Sequence, residues 1–417
     1  MGDISVFAPT ATRLADLSGL LSCYLQSVRD CQDDNGRFPD VAPTGFGFGG
    51  LLWGSAGITV PHELFRQYAD TAMLRDHYPA MKRYIDYVFN ETIERTSGVI
   101  VQNRAWSDLG DWLSPEYDRT DKSLLWECYF IHDLDIMAYV ADILGYDDDR
   151  RRYAADAAAR REFFNKVYID PETRKTRFSS FDANRNGEIV DTQVSYALPI
   201  AFGITDDELF RSNFVATVCR ENRSDGGVVC PPFSLMTGFI GTAWISEALS
   251  LIGRDDLAYK LLTSTTYPSW LYPVTQGATT VWERLDSYTH DKGFGKNNSM
   301  NSFNHYSYGA IEEWMIAYTL GIQRDEEQPA YKHIILQPRI GGTFSFIRGH
   351  YDSAYGRIES GWQIQKKGYI YEATIPANTT ATLYLPAKSG KSIHVEKGQE
   401  GITPVGLKDG KAVYRLR

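Results

Sequence analysis

The sequence has little of what nucleic-acid-binding, membrane-spanning and disulfide-stabilised proteins need. Among 417 residues, 43 Lys and Arg stand against 53 Asp and Glu, for a net charge of −10. Such a chain lacks the basic surface that a nucleic-acid backbone requires. No apolar run reaches the length of a membrane span and no signal peptide opens the chain, which favours a cytoplasmic location. The 5 cysteines are odd in number and lack metal-ligand spacing, so we expect free thiols, mostly buried.

Motifs for several kinds of chemistry are also missing. The glycine-rich stretch at 46–55 has no Lys-Ser or Lys-Thr after it and is therefore not a phosphate loop. The sequence contains no His-Glu-x-x-His pair, nucleophile elbow or dinucleotide fingerprint. We expect no cofactor and no metal. Loop carboxylates offer the oxygen ligands that Ca²⁺ prefers, but none of these loops has EF-hand spacing.

Helical periodicity fills the chain up to about residue 325. Glycines followed within a few residues by Asp or Thr recur at Gly145, Gly203 and Gly253, where the glycine caps one helix and the polar residue starts the next. Repeated helix pairs predict an open solenoid or a closed α/α barrel, and long Gly- and Pro-rich insertions favour the barrel. Apolar spacing predicts individual helices over residues 10–29, 61–69, 72–88 and 123–144.

The period changes near residue 328, where short alternating runs separated by turns replace the helices. We therefore predict a mainly α protein with a β tail, divided into a helical domain at 1–327 and a β-sandwich at 328–417. The predicted strands cover residues 331–336, 344–348, 357–359, 362–365, 369–374 and 381–385.

The strongest candidate site lies at residues 279–284, Thr-Thr-Val-Trp-Glu-Arg, with an amide- and aromatic-rich stretch at 300–306. Glu283 beside Trp282, with His305 downstream, suits a sugar-processing site: the ring stacks on indole, hydroxyls bind polar groups, and the carboxylate acts as acid or base. The structural alternatives are a half-buried Glu283 paired with Arg284 in a helical core, and a hydrogen-bonded core histidine. Residue types alone weigh the two interpretations of Glu283 about equally.

A second cluster lies in the loop at residues 106–116, which holds two Trp, two Asp and one Glu. Carboxylates of Asp108 and Asp111 with the ring of Trp112 favour a saccharide pocket over the alternative in which an Asp only caps a helix. Trp53 offers a further sugar platform, although a lone aromatic residue is more often part of a core.

Five stretches carry a family resemblance. They are Phe-Ala-Pro-Thr-Ala at 7–11, Gly-Asp-Trp-Leu at 110–113, Tyr-Pro-Ser-Trp-Leu-Tyr-Pro at 267–273, Gln-Gly-Ala-Thr-Thr-Val-Trp-Glu-Arg at 276–284 and Met-Asn-Ser-Phe-Asn-His-Tyr-Ser-Tyr-Gly at 300–309. Together they resemble the α-L-rhamnosidases of glycoside hydrolase family 78. The resemblance implies an (α/α)6 barrel, here short of its first helix, followed by a C-terminal β-sandwich.

The resemblance also implies an activity, the inverting cleavage of terminal α-L-rhamnose from glycosides or polysaccharides. The Glu of the Thr-Thr-x-Trp-Glu motif is the family's general base, and it falls on Glu283. The family's sugar-contacting Trp and His positions look like Trp53, Trp112 and His305, and Asp3 matches an Asp that lines the pocket.

Departures from the family pattern bear on activity. The family's general acid lies in Glu-Arg-Leu-Gly-Trp-Thr-Gly-Asp, of which only Gly2-Asp3 is present, so the N-terminus looks truncated and we expect little activity on unactivated rhamnosides. Ser55 stands where the family commonly has Asp. A barrel short of one helix is expected to expose apolar surface along residues 10–29, where a second copy or an upstream polypeptide docks.

Two other functions compete with the rhamnosidase. One is a catalytically silent rhamnose-binding protein or pseudoenzyme, in which the same Trp and Asp side chains hold the sugar without cleaving it. The other is a different α/α-barrel glycosidase or lyase, which the specific motifs favour less.

Overall fold

The chain folds into two compact units. The computed structural model describes residues 1–45, 47, 50–102, 109–295, 299–387, 392–396 and 399–417. One unit comprises Met1–Ala8, Gly19–His62 and Thr71–Ala310, and the other Pro9–Ser18, Glu63–Asp70 and Ile311–Arg417. Within the described ranges, none of the helices combines the length and apolar character needed to cross a membrane.

Helices dominate the chain up to residue 320. In chain order they are α1 (Gly2–Leu14), α2 (Ser18–Asp30), α3 (Ala56–Tyr68), α4 (Thr71–Tyr87), α5 (Lys122–Leu144), α6 (Asp147–Val167), α7 (Gln193–Ala201), α8 (Glu208–Cys219), α9 (Phe239–Leu251), α10 (Asp255–Thr263), α11 (Tyr272–Thr275) and α12 (Ile311–Trp314). A π-helical turn at Val88–Thr92 follows α4, a 3₁₀ turn at Ser307–Ala310 precedes α12, and a π-helix at Met315–Leu320 follows α12.

Local capping explains where these helices begin and end. The Asp121 carboxylate accepts a hydrogen bond from the Ser123 amide at the start of α5, and Gly145 ends that helix in the left-handed region at φ 76°. Gly203 and Gly253, also predicted as caps, have φ of 59° and 75°. The predicted helices at 72–88 and 123–144 match α4 and α5 to within a residue at each end.

Two predicted helices differ from the structure. The single helix predicted over 10–29 is two helices, α1 and α2. The chain breaks between them because Asp16 starts a new helix, accepting hydrogen bonds from the Ser18 amide at 3.1 Å and from its hydroxyl at 2.9 Å. Helix α3 begins at Ala56, so Pro61 lies inside it and not in its first turn.

The helices of the first unit alternate between buried and amphipathic. Helices α5, α7 and α9 are buried on almost every side, and they pack against one another in the order α5, α7, α9. Each also packs against the helix that follows it, namely α6, α8 and α10. This pattern of helical hairpins is the repeat that the glycine spacing predicts. The Arg and Asp residues of α6 form a solvated face as expected, with ion pairs such as Arg152 to Asp86 at 2.8 Å.

The β-strands of the tail form two sheets. The strands are β1 (Asn222–Arg223) and β2 (Val229–Cys230), a short hairpin of the first unit, then β3 (Ile322–Arg324), β4 (His333–Leu336), β5 (Phe346–Ser353), β6 (Gly356–Gln365), β7 (Gly368–Thr374), β8 (Thr380–Pro386), β9 (Ile402–Lys408) and β10 (Lys411–Leu416). One sheet has the order β3-β4-β8-β10-β9, with β4 and β8 parallel, and the other is β5-β6-β7.

A common core joins the two sheets, as in the predicted sandwich. Ile334 and Leu383 come from the five-stranded sheet and Tyr351 and Ile358 from the three-stranded one, and all four are buried in a single apolar cluster. Strand β3 precedes the predicted boundary at 327/328, because its short Ile322–Arg324 run continues directly from the last helix and was too brief to show a period. The domain limits themselves stay a prediction.

The cysteines are free, as expected, but the prediction that most of them are buried is wrong. Cys128 and Cys230 are buried, Cys23 is exposed, and Cys31 and Cys219 are intermediate. The error arises because Cys23 and Cys31 lie on or just after α2, one face of which is open to solvent.

A buried ionic cluster stabilises the second unit. Arg324 forms ion pairs with Glu63 and, at 3.8 Å, with Glu313, and Glu313 also binds Arg13. Arg324 additionally donates to the side-chain amide oxygen (Oε1) of Gln67 at 2.8 Å. Burial raises the pKa of the Glu63 carboxyl, but the charges of Arg324 and the neighbouring arginines outweigh burial and hold that pKa below its usual value. The positive charges of Arg13 and Arg324 and the negative charges of Glu63 and Glu313 therefore neutralise one another where little water reaches them.

We predict that Glu63→Gln lowers the free energy of unfolding by about 3–5 kcal/mol, because it removes the nearest counter-charge of the buried Arg324 guanidinium. Urea denaturation measures this change. Because the folded pKa of Glu63 is depressed, the difference from the parent chain is full above the unfolded value of 4.5 and narrows as the pH falls below it. Arg357→Gln, which removes an exposed pair with Asp352, is the control and should change stability little. Equal losses in both variants would contradict the role of the cluster.

Candidate active site

Two backbone segments pair to position the leading candidate residues. The Glu283 amide donates to the Ser302 carbonyl at 2.9 Å, and the His305 amide donates to the Val281 carbonyl at 2.9 Å. These bonds align residues 281–283 against 302–305 in the manner of an antiparallel ladder. The sequence motif and the amide-rich stretch that follows it are therefore one structural element.

The Glu283 carboxylate is half-buried and only partly engaged. One of its oxygens accepts a hydrogen bond from the Ser302 amide at 2.9 Å, and the other has no hydrogen bond to the described residues. Arg284 donates to Asp286 at 3.4 Å instead of to Glu283, and Glu283 lies outside any helix. The structural alternative of a Glu283–Arg284 pair in a helical core is thus not what the chain forms.

The buried side chain of Trp282 packs against the ladder. Its side chain is 6% exposed, and its ring meets that of Phe303 edge to face at a centroid distance of 5.1 Å. Phe303 in turn lies 5.7 Å from Phe294. This aromatic packing holds the segment that carries Glu283 in place. A direct contact of Trp282 with substrate stays a prediction.

His305 and Asp3 lie together although 302 positions separate them in the chain. The His305 Nε2 atom is 3.5 Å from the Asp3 Oδ1 atom, and the Ser307 hydroxyl donates to the same oxygen at 2.7 Å. The His305 ring also packs at 4.9 Å against Phe239. Its Nδ1 atom is buried without a partner among the described residues, so His305 is not the fully hydrogen-bonded core histidine of the structural alternative.

Trp53 lies against the start of α1. A Cβ atom added at Gly2 would come within 2.6 Å of the indole, so glycine at this position allows the ring to approach the helix beside Asp3. Trp53 is 9% exposed. The next polar side chain, Ser55, donates to the buried Asp133 carboxylate at 2.7 Å, an acidic residue of α5 that no sequence motif indicates.

Asp111 and Trp112 meet the first turn of α9. The Asp111 carboxylate accepts hydrogen bonds from the amides of Gly238 at 2.7 Å and Gly241 at 2.9 Å, and the Trp112 carbonyl accepts from the Phe239 amide at 2.9 Å. Asp111 is 1% exposed. Burial raises its pKa to about 6 against the opposing effect of these amides. Asp111 therefore caps a helix, the structural alternative, and its contact with substrate stays a prediction.

The structure thus brings most of the predicted residues into one neighbourhood. Phe239 packs on His305 and bonds the backbone of Trp112, while Asp3 connects His305 to the α1 terminus that Trp53 covers. Asp108 lies outside the described residues. Sequence reasoning missed Ser307 and Phe239, since neither stands out from an ordinary helix start.

A metal site is not evident in the part of the chain that the structure describes. No group of three or more His, Cys, Asp or Glu side chains there is arranged to hold an ion. The expectation of no metal and no cofactor stays a prediction.

Comparison with known proteins places these residues in context. The family model described as the bacterial alpha-L-rhamnosidase 6 hairpin glycosidase domain matches residues 1–319, and the model of the bacterial alpha-L-rhamnosidase C-terminal domain matches residues 321–400. An alpha-L-rhamnosidase of Streptomyces avermitilis is 34% identical over 417 residues, which are 100% of this chain and 37% of that protein.

Solved structures show the same architecture. The crystal structure of Streptomyces avermitilis alpha-L-rhamnosidase complexed with L-rhamnose has a TM-score of 0.83 and 31% identity, covering 100% of this chain and 37% of the other. The alpha-L-rhamnosidase of Aspergillus terreus has a TM-score of 0.80 and 26% identity, covering 100% and 45%. The predicted (α/α)6 barrel with a C-terminal β-sandwich is confirmed. The chain spans less than half the length of these relatives.

We predict that Asp111→Asn lowers the free energy of unfolding by about 1–3 kcal/mol, because an amide offers one acceptor oxygen where two buried amides need partners. Chemical denaturation at pH 7 measures the loss. Asp118→Asn, in the same loop but exposed, is the matched control and should leave stability unchanged. If Asp111→Asn leaves the free energy of unfolding unchanged, the Asp111 carboxylate does not stabilise the start of α9.

Proposed function

Because the chain belongs to the bacterial α-L-rhamnosidase six-hairpin glycosidase family, we propose that it provides the catalytic barrel of an enzyme that hydrolyses terminal α-L-rhamnosides. The substrate class is a rhamnose-containing glycoside or polysaccharide. The family match over residues 1–319 contains every candidate site residue. The C-terminal sheets pack as a separate core and take no part in the chemistry we propose.

The Glu283 carboxylate is the single observation that carries this proposal. One oxygen is held by the Ser302 amide at 2.9 Å, and the other is unengaged among the described residues. A carboxylate held in this way keeps a lone pair for a water molecule. In inverting hydrolysis, such a base removes a proton from water as the oxygen attacks the anomeric carbon.

The neighbouring side chains suit a deoxy sugar. Rhamnose combines three free hydroxyls with an apolar methyl group and an apolar ring face. The Asp3 carboxylate and the His305 imidazole, 3.5 Å apart, offer hydrogen bonds to adjacent hydroxyls. The indoles of Trp53 and Trp112 offer the flat apolar surfaces that a sugar ring prefers.

We assign no general acid among these 417 residues. The Glu-Arg-Leu-Gly-Trp-Thr stretch that carries it in the family is not among them. Two nearby carboxyls have raised pKa values from burial, Asp111 at about 6 and Glu116 at about 7. Both are almost fully buried, at 1% and 3% exposure, and Asp111 is occupied in capping α9. An inverting glycosidase needs an acid whose carboxyl group lies about 6.5–9.5 Å from that of the base and reaches the leaving oxygen, and we assign that role to neither of these enclosed carboxyls.

We predict that Glu283→Gln lowers the rate of aryl α-L-rhamnoside hydrolysis by about 10²–10⁴-fold, because the amide cannot accept the proton of water. Rhamnose affinity should change far less, since the Asp3–His305 pair and the indoles remain. Release of the aryl group and calorimetry with L-rhamnose measure the two quantities. Glu172→Gln, on an exposed turn, is the matched control. If the Glu283→Gln chain hydrolyses the aryl rhamnoside at the rate of the parent chain, Glu283 is not the general base.

We also predict that the need for the absent acid depends on the leaving group. A nitrophenolate leaves without protonation, whereas an alkoxide does not, so the chain alone should act on nitrophenyl rhamnoside and not on a rhamnosyl sugar. Adding a polypeptide that carries the Glu-Arg-Leu-Gly-Trp-Thr stretch should raise the second rate by about 10²–10⁴-fold. A version of that polypeptide with Gln for the motif's Glu is the control. Equal rates on both substrates without the addition would overturn this account of the acid.

A catalytically silent rhamnose-binding protein is the second candidate, because the Asp3–His305 pair and the indoles would hold the sugar whether or not it is cleaved. In that case calorimetry shows L-rhamnose binding while no substrate turns over, even with the added polypeptide. Docking of a second polypeptide or of a second copy remains part of our proposal. We expect the docking at the apolar stretch of residues 10–29, which includes Leu20 of α2, a side chain that is 66% exposed.

A further inference from the structure

The turn at residues 50–55 carries Trp53 and leads directly into α3, which begins at Ala56. The Trp53 indole lies so close to the start of α1 that a Cβ atom at Gly2 would come within 2.6 Å of it. Asp3 follows Gly2 on the same helix. The shape of the turn therefore decides how the indole stands beside Asp3.

The backbone of this turn is strained. Leu52, directly before Trp53, has a φ of 77°, in the left-handed region that a bulky side chain rarely adopts. Its side chain is fully buried. The turn closes through the Gly54 amide, which donates to the Gly50 carbonyl at 2.6 Å. A strained residue of this kind persists only where the surrounding contacts over-determine it.

Gln102 holds the chain before the strained residue. Its side-chain oxygen accepts a hydrogen bond from the Leu51 amide at 2.6 Å, and Gln102 is 5% exposed. The same oxygen lies 2.1 Å from where a Cβ atom at Gly50 would be, so only glycine lets the side chain approach. This bond fixes the backbone one residue ahead of Leu52.

Asp133 of α5 holds the chain after the strained residue. The Ser55 hydroxyl donates to the Asp133 carboxyl group at 2.7 Å, and both side chains are 0% exposed. The other Asp133 oxygen has no hydrogen-bond partner among the described residues, and the buried Tyr84 hydroxyl has none there either. Buried polar groups with so few partners destabilise a fold, so stability alone does not account for Asp133.

The enclosure of Asp133 also decides how it acts. Burial raises the pKa of its carboxyl group well above the usual value, against a smaller opposing effect of the Ser55 hydroxyl. The group is therefore neutral at pH 7 and acts through its hydrogen bond, not through charge. Asparagine has the shape of a neutral carboxylic acid and offers the same acceptor oxygen, so Asp133→Asn is the conservative change at this position.

We propose that Asp133 and Gln102 are positioning residues of the sugar pocket, which hold the turn in the shape that presents the Trp53 indole beside Asp3. Asp133 acts through Ser55 and Gln102 acts through the Leu51 amide, and neither touches the sugar. Because the two bonds bracket the strained backbone, the loss of either lets the turn relax and the indole move. This inference rests on the proposed function, since it takes Trp53 as a surface for the rhamnose ring.

The test is a double-mutant cycle on the L-rhamnose affinity of the full chain, measured by calorimetry. Ser55→Ala, Asp133→Leu and Gln102→Leu should each weaken binding about two- to tenfold, the contribution of one aromatic contact. Asp133→Asn should retain the parent affinity. If Ser55 acts through Trp53, adding Ser55→Ala to Trp53→Leu causes no further loss. Additive losses, or parent affinity in the three weakening variants, overturn the proposal.

Ser195→Ala is the matched control for a general loss of stability. It removes another buried hydroxyl, which lies 2.7 Å from the Thr176 hydroxyl at the start of α7 and has no candidate sugar contact. Urea denaturation of all variants reports their stability. We expect Ser195→Ala to lose stability and keep its rhamnose affinity. If affinity falls in step with stability in every variant, the control included, the role of Asp133 is structural only and the proposal fails.

A crystal structure of Ser55→Ala separates this inference from the proposed function. If the parent chain does not bind L-rhamnose, the rhamnose pocket is wrong, and the turn still decides the positioning. A shifted Trp53 indole or a relaxed Leu52 then supports it, and an unchanged turn contradicts it. If the parent and all the variants bind L-rhamnose equally, the positioning role fails and the rhamnosidase proposal stands.

Discussion

The hydrogen bonds between residues 281–283 and 302–305 are the constraint on which the candidate site depends. They hold the Glu283 carboxylate by the Ser302 amide at 2.9 Å and place His305 on the same ladder. A carboxylate on a free loop would sample many rotamers, and its reactive oxygen would have no defined position. The ladder removes that freedom while leaving one oxygen available, which is what a general base needs.

The N-terminal turns of two helices contact the ladder at His305. The start of α1 carries Asp3, and the start of α9 is fixed by the buried carboxylate of Asp111 and carries Phe239, which packs on His305. Helix N-termini favour negative charge, so acidic side chains at these positions are stabilised where they are needed. The same carboxylates therefore contribute to stability and, for Asp3, to the surroundings of the proposed sugar.

Much of this arrangement was readable from the sequence, and the exceptions have physical causes. The helical hairpins, the glycine caps and the β tail follow from periodicity and backbone preference, which are local. That Glu283 and His305 belong to one structural element was suggested by their spacing and by the family motif. The proximity of Asp3 to His305, 302 positions away, follows from the resemblance alone, because no local pattern encodes a contact made by chain closure. The capping role of Asp111 depends on Gly238 and Gly241, which lie 127 and 130 positions further along the chain and carry no motif.

The most direct measurement of the central claim is a crystal structure of the chain with L-rhamnose. The account predicts the sugar between the indoles of Trp53 and Trp112, with hydroxyls on Asp3 and His305. It further predicts a water molecule between the anomeric carbon and the free oxygen of Glu283. A sugar bound elsewhere, or a Glu283 carboxylate turned away from the anomeric carbon, would contradict it.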